Sequence, residues 1–179
     1  MFRASLLAII IVEAAVGQAT WKGLRFGATE AEVRKEYQGV LQPKQTDDHQ
    51  LILMDNDQKL GNQRATANLY FDKSIKLSLI EVFMKDPTTG EADSMKAAGL
   101  SFALITVLGD SLSEKYGKPI TEEGECRLTL PDVSANPAKI FTCNKTWKAE
   151  GQTVTLYWSV RDQRLTFYGL TYKPLPSDI

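Results

Sequence analysis

Residues 139–172 read KIFTCNKTWKAEGQTVTLYWSVRDQRLTFYGLTY, and this stretch decides the fold. Apolar and polar residues alternate through the runs Lys139 to Lys148, Gln152 to Val160 and Arg164 to Tyr172, the period of strands that bury one face. The pairs Glu150-Gly151 and Asp162-Gln163 between them suit two-residue hairpin turns. Those turns set Trp147 opposite Val154, Cys143 opposite Trp158, Trp158 opposite Phe167 and Val160 opposite Leu165. The expected inward face is Phe141, Cys143, Trp147, Val154, Leu156, Trp158, Val160, Leu165 and Phe167. Lys145 is its misfit and has to snorkel or lie near an edge. The expected outward face is rich in threonine and tyrosine and includes Tyr157, Tyr168, Leu170 and Tyr172.

Upstream of this meander, Met95, Ala98, Phe102, Ile105, Leu108, Leu112 and Tyr116 recur at spacings of three and four, which predicts a helix over about Glu91 to Tyr116. Leu100, Leu104 and Val107 widen its apolar surface, so its middle is expected to be covered on more than one side. Gly117 ends it, with Pro119 just beyond. A strand is expected over Ile120 to Leu130, and the proline-rich Pro131 to Pro137 reads as a loop. The first part of the chain has a similar plan. Trp21 to Gly27 is an extended lead-in, and Thr29 with Glu32 forms a capping box opening a short helix to about Gln38. Strands follow at Gln50 to Met54, Arg64 to Phe71 and Ile75 to Lys85. The expected fold class is α+β, two helix-plus-antiparallel-meander units over about 20–89 and 90–175 packed as one body.

Residues 1–19 have the character of a secretory signal peptide: Arg3, an apolar run from Leu6 to Val12, and a small-residue end at Gly17 and Ala19. The alternative is a retained anchor, which Glu13 within or beside the apolar run bears on. Residues 20–179 then form a single domain that works outside the cytosol, periplasmic or secreted, without membrane insertion after cleavage. The net charge of -1 argues against nucleic acid as a partner. The two cysteines, Cys126 and Cys143, read as a disulfide in an oxidising compartment, with two buried free thiols as the alternative.

Reactive constellations are scarce. His49 is the one histidine, set among Asp47, Asp48 and Gln50, and lacks the convergent ligands that zinc requires. Asp55-Asn56-Asp57 starts like a calcium loop, but Lys59 and Leu60 stand where an oxygen ligand and the turn glycine belong. Glu122, Glu123 and Glu125 are better suited to keeping an edge strand soluble than to acid catalysis. Asn144-Lys145-Thr146 is a glycosylation sequon, with meaning only in a eukaryotic secretory pathway. No cofactor, metal site or catalytic residue is expected, and the chain is read as a non-enzyme.

The segment Trp21-Lys-Gly-Leu-Arg-Phe-Gly-Ala-Thr-Glu-Ala-Glu-Val33, then Tyr70-Phe71-Asp72 and Lys115-Tyr116-Gly117-Lys118-Pro119, resembles the pattern of small bacterial envelope proteins. Helix-then-meander units of this sort resemble the BamE-like fold, and two in tandem resemble the beta-lactamase inhibitor protein family. The resemblance implies an exported scaffold that binds another protein, such as a toxin, a hydrolase or an envelope component. The expected function is a protein-binding module, an inhibitor or immunity protein; the alternative is an envelope-assembly or structural accessory. Candidate partner-binding residues are Tyr157, Tyr168, Leu170 and Tyr172.

Overall fold

A computed structural model describes residues 21–44, 51–60, 63–84, 94–127, 129–136, 138–162 and 164–175. The expected signal peptide and the His49 segment lie outside the described residues.

Among the described residues the chain builds one antiparallel sheet of eight strands. These are β1 (Gln42–Lys44), β2 (Ile52–Leu60), β3 (Gln63–Phe71), β4 (Leu77–Met84), β5 (Thr121–Gly124), β6 (Phe141–Ala149), β7 (Gln152–Arg161) and β8 (Arg164–Pro174). Their order is β1-β2-β3-β4-β8-β7-β6-β5, so β4 pairs with β8 and the two meanders share a continuous hydrogen-bonded ladder. This corrects the expected α+β fold of two helix-plus-meander units: the molecule is mainly β, organised around a single sheet. Local patterning marks each meander, but the Ile80–Tyr172 to Met84–Tyr168 pairing that fuses them joins residues far apart in the chain and leaves no local signature.

Helix α1 (Glu30–Glu36) opens on the capping box. The Thr29 amide and hydroxyl donate to Glu32 Oε2 at 2.7 and 2.8 Å, and the Glu32 amide donates to Thr29 Oγ1 at 3.4 Å. Helix α2 (Ser94–Tyr116) packs on β6, β7 and β8 through Ile105, Leu108 and Leu112. Gly117, at φ 82°, stops it, a conformation that costs glycine little. Both helices bury their apolar residues against the sheet face formed by Leu53, Leu69, Ile80, Val82, Trp147, Val154 and Leu156. The middle of α2 is less covered than expected, since Leu100 and Val107 are exposed.

Strand β5 is shorter than expected, and the chain beyond it forms the short helix α3 (Leu130–Ala135) where a loop was anticipated. The Thr129 hydroxyl and amide donate to Asp132 at 2.5 and 2.8 Å, a cap that makes the helix start. Strand β2 runs on past the expected end at Met54 through Asp55-Asn56-Asp57, because a bulge between Asp55 and Gln58 absorbs the irregularity.

Candidate functional site

The hairpins of β6, β7 and β8 show where the outward face is made. Trp147 lies opposite Val154, Cys143 opposite Trp158 and Val160 opposite Leu165. Beyond that point the register shifts: Ser159 pairs with Phe167 and Trp158 with Tyr168. Thr166 is the extra residue, its hydroxyl donating to the Ser159 carbonyl at 3.2 Å. One inserted residue exchanges the faces of everything after it. Phe167, expected inside, is 47% exposed, whereas Tyr168, Leu170 and Tyr172 are 1%, 6% and 8% exposed. Those three partner-binding candidates are therefore corrected to core residues. Burial pushes the Tyr172 hydroxyl pKa up, with a smaller contribution from Tyr116. Tyr157 remains on the outward face.

Around Tyr157 the structure assembles a group that the regular alternation did not anticipate. Gly169 pairs with both Tyr157 and Phe83 in the register, and its missing side chain leaves a gap on the outward face of β8. The Tyr157 ring lies across that gap. A methyl group at Gly169 would collide with the Tyr157 hydroxyl and the Val82 carbonyl. Phe167 stacks on Tyr157 with ring centroids 5.0 Å apart and a 27° interplanar angle, and Phe83 meets the same rings at 5.3 and 6.2 Å. The result is a patch of Phe83, Tyr157 and Phe167 spanning β4, β8 and β7.

Polar groups border it on β3 and β4. Tyr70 donates its hydroxyl to Glu81 Oε2 at 2.5 Å, and Asn68 Nδ2 approaches the Tyr70 oxygen at 3.5 Å. Burial, then the hydrogen bond and charge of Glu81, push the Tyr70 pKa up to about 12. Burial also pushes Tyr157 upward, followed by the charges of Glu81 and Tyr70. Two buried polar atoms here, Asn68 Oδ1 and the Tyr157 hydroxyl, have no hydrogen-bond partner among the described residues.

Elsewhere, Trp147 Nε1 is also buried without a hydrogen-bond partner among the described residues, while several other polar groups are paired. The disulfide Cys126–Cys143 ties the segment after β5 to β6. Beside it Glu125 pairs with Lys139 at 2.9 Å, and Lys145 pairs with Glu122 at 3.4 Å across β5 and β6. That contact places the misfit lysine near the sheet edge, with its charge compensated. Glu122 and Glu125 are thus engaged in ion pairs. On the helix-covered face, Asp55 accepts from the Tyr37 hydroxyl at 3.0 Å, from the Asp57 amide at 2.9 Å and from Gln58 Nε2, while Lys22 Nζ donates to Gln58. Among the described residues, no group of three or more histidine, cysteine or acidic side chains is placed to hold a metal ion. No described helix is long and apolar enough to cross a membrane.

Comparison with known protein families, curated proteins and solved structures finds no match for this chain.

Proposed function

We propose that this protein is an exported, non-enzymatic protein-binding module, an inhibitor or immunity protein of the periplasm, that docks its partner on the outward face of the sheet. The observation that supports this reading most strongly is Phe167, held nearly half exposed on a strand by its stack on Tyr157 and its contact with Phe83. Aromatic anchors on rigid elements supply contact area at small entropic cost, the property of residues that dominate interface energetics. Tyr157 also fills the space left by Gly169, with Phe167 stacked on it, and that packing role keeps the rings rigid. The disulfide is consistent with an oxidising compartment.

The test is affinity capture from a periplasmic extract with the wild-type protein and with Phe83→Ser/Phe167→Ser. Capture of a discrete protein that disappears with the double variant, while the variant keeps the wild-type circular dichroism, is the expected result. Equal capture by both would remove the face from the binding site.

A further inference from the structure

Glu81 sits half-buried in the middle of this outward face and forms no ion pair among the described residues. Its hydrogen-bond partner is the neutral Tyr70 hydroxyl. By register it lies between Asn68 on β3 and Thr171 on β8, two residues along the strand from the pairing of Phe83 with Gly169 that Tyr157 crosses. Lys173, two residues along β8 from Thr171, makes no ion pair with it. The surroundings are electron-rich: a carboxylate, an amide oxygen without a donor, a tyrosine oxygen without a partner, and the faces and edges of three aromatic rings.

A half-buried carboxylate left without a cation loses solvation without gaining a countercharge. The group that supplies this countercharge beside aromatic rings is a cation with an apolar, stackable body. A guanidinium meets each requirement at once: its fork matches a carboxylate, its plane stacks on aromatic rings, and its weak hydration makes burial less costly than for an ammonium.

We infer that the patch of Phe83, Tyr157 and Phe167 with Glu81 is the seat for an arginine side chain presented by the partner protein. The guanidinium lies over the exposed Phe167 ring and the half-buried Phe83 ring with its fork on Glu81. Glu81 is the selectivity residue and the aromatic rings are the platform. This inference rests on the outward face being the docking surface.

The direct test titrates isotope-labelled protein with a blocked Gly-Arg-Gly tripeptide and with its citrulline counterpart, which keeps the shape and loses the charge. Saturable amide shifts are expected at residues 81–83, 157 and 167–169, with affinity about tenfold lower for citrulline and for Glu81→Gln. Absence of shifts at those residues, equal affinity for both peptides, or an unaltered Glu81→Gln would overturn the arginine seat. The docking surface is read separately, by crosslinking from position 167. A crosslinked partner without arginine preference ends this inference and leaves the surface standing, whereas failure of both ends both.

Discussion

Tyr157 lies across Gly169, its ring occupying the space where any other residue would carry a side chain. The relationship links sequence to surface directly. The glycine clears the gap, the tyrosine fills it, and Phe167 is left stacked above with its outer side in solvent.

Gly169→Ala is expected to lower stability by about 1–3 kcal/mol in urea denaturation, because one of the colliding atoms is the Val82 carbonyl, which cannot rotate away. Tyr157→Phe removes an oxygen without a partner and should be neutral or slightly stabilising. A neutral alanine variant would mean that the Val82 carbonyl does not close on Gly169 as described.

The faces of β8 separate in a second pair of variants. Tyr168→Ser empties a core position and should cost about 3–5 kcal/mol, the range for large aromatic truncations, whereas Phe167→Ser should cost less than about 1 kcal/mol. The reverse ranking by thermal or urea melting would restore the unbulged register. Deleting Thr166 should also be tolerated, since the flanking residues Leu165 and Phe167 keep their faces when the bulge is removed.

These variants also mark the limit of what the sequence reveals. Alternation placed β6 and β7 and their register correctly, because each strand has one apolar face and Glu150-Gly151 fixes the turn. It failed from Thr166 onward, where a single added residue inverts the faces. The run Leu165-Thr166-Phe167-Tyr168 fits either phase, since both aromatic residues can be buried. A signal was present in Gly169, which is out of place in a strand interior and marks a bulge or a close approach. Fusion of the two meanders was not legible either, because β4 and β8 are equally apolar with or without each other as neighbours. Glu81 escaped notice for a related reason: a lone acid in an alternating strand looks like any solvated position until Tyr70, Asn68 and the aromatic patch are seen around it.

Replacing both cysteines by serine should lower stability by about 3 kcal/mol in the chain-entropy account of a loop with 17 residues of sequence separation. Reduction of the native protein should give a similar loss. No change in either would show that the segment after β5 is held by other contacts.

Glu32 offers a pH test. The Thr29 amide, then the Thr29 hydroxyl, hold its carboxyl pKa below the ordinary 4.5. A lowered carboxyl pKa means the unfolded chain binds the proton more readily. The capping contribution is therefore fully present above the unfolded value and fades as pH falls through the folded one. Titration followed by nuclear magnetic resonance should give a Glu32 midpoint below 4.5 that returns toward it in Thr29→Ala. An unshifted wild-type midpoint would deny the capping box in solution.

The most direct measurement of the central claim places a photo-crosslinking phenylalanine analogue at Phe167 in one strain and at the exposed Val107 of α2 in another, with illumination of living cells. The account predicts a discrete crosslinked protein from position 167 and none from position 107. Crosslinking from position 107 alone would move the docking surface to the helix and contradict it.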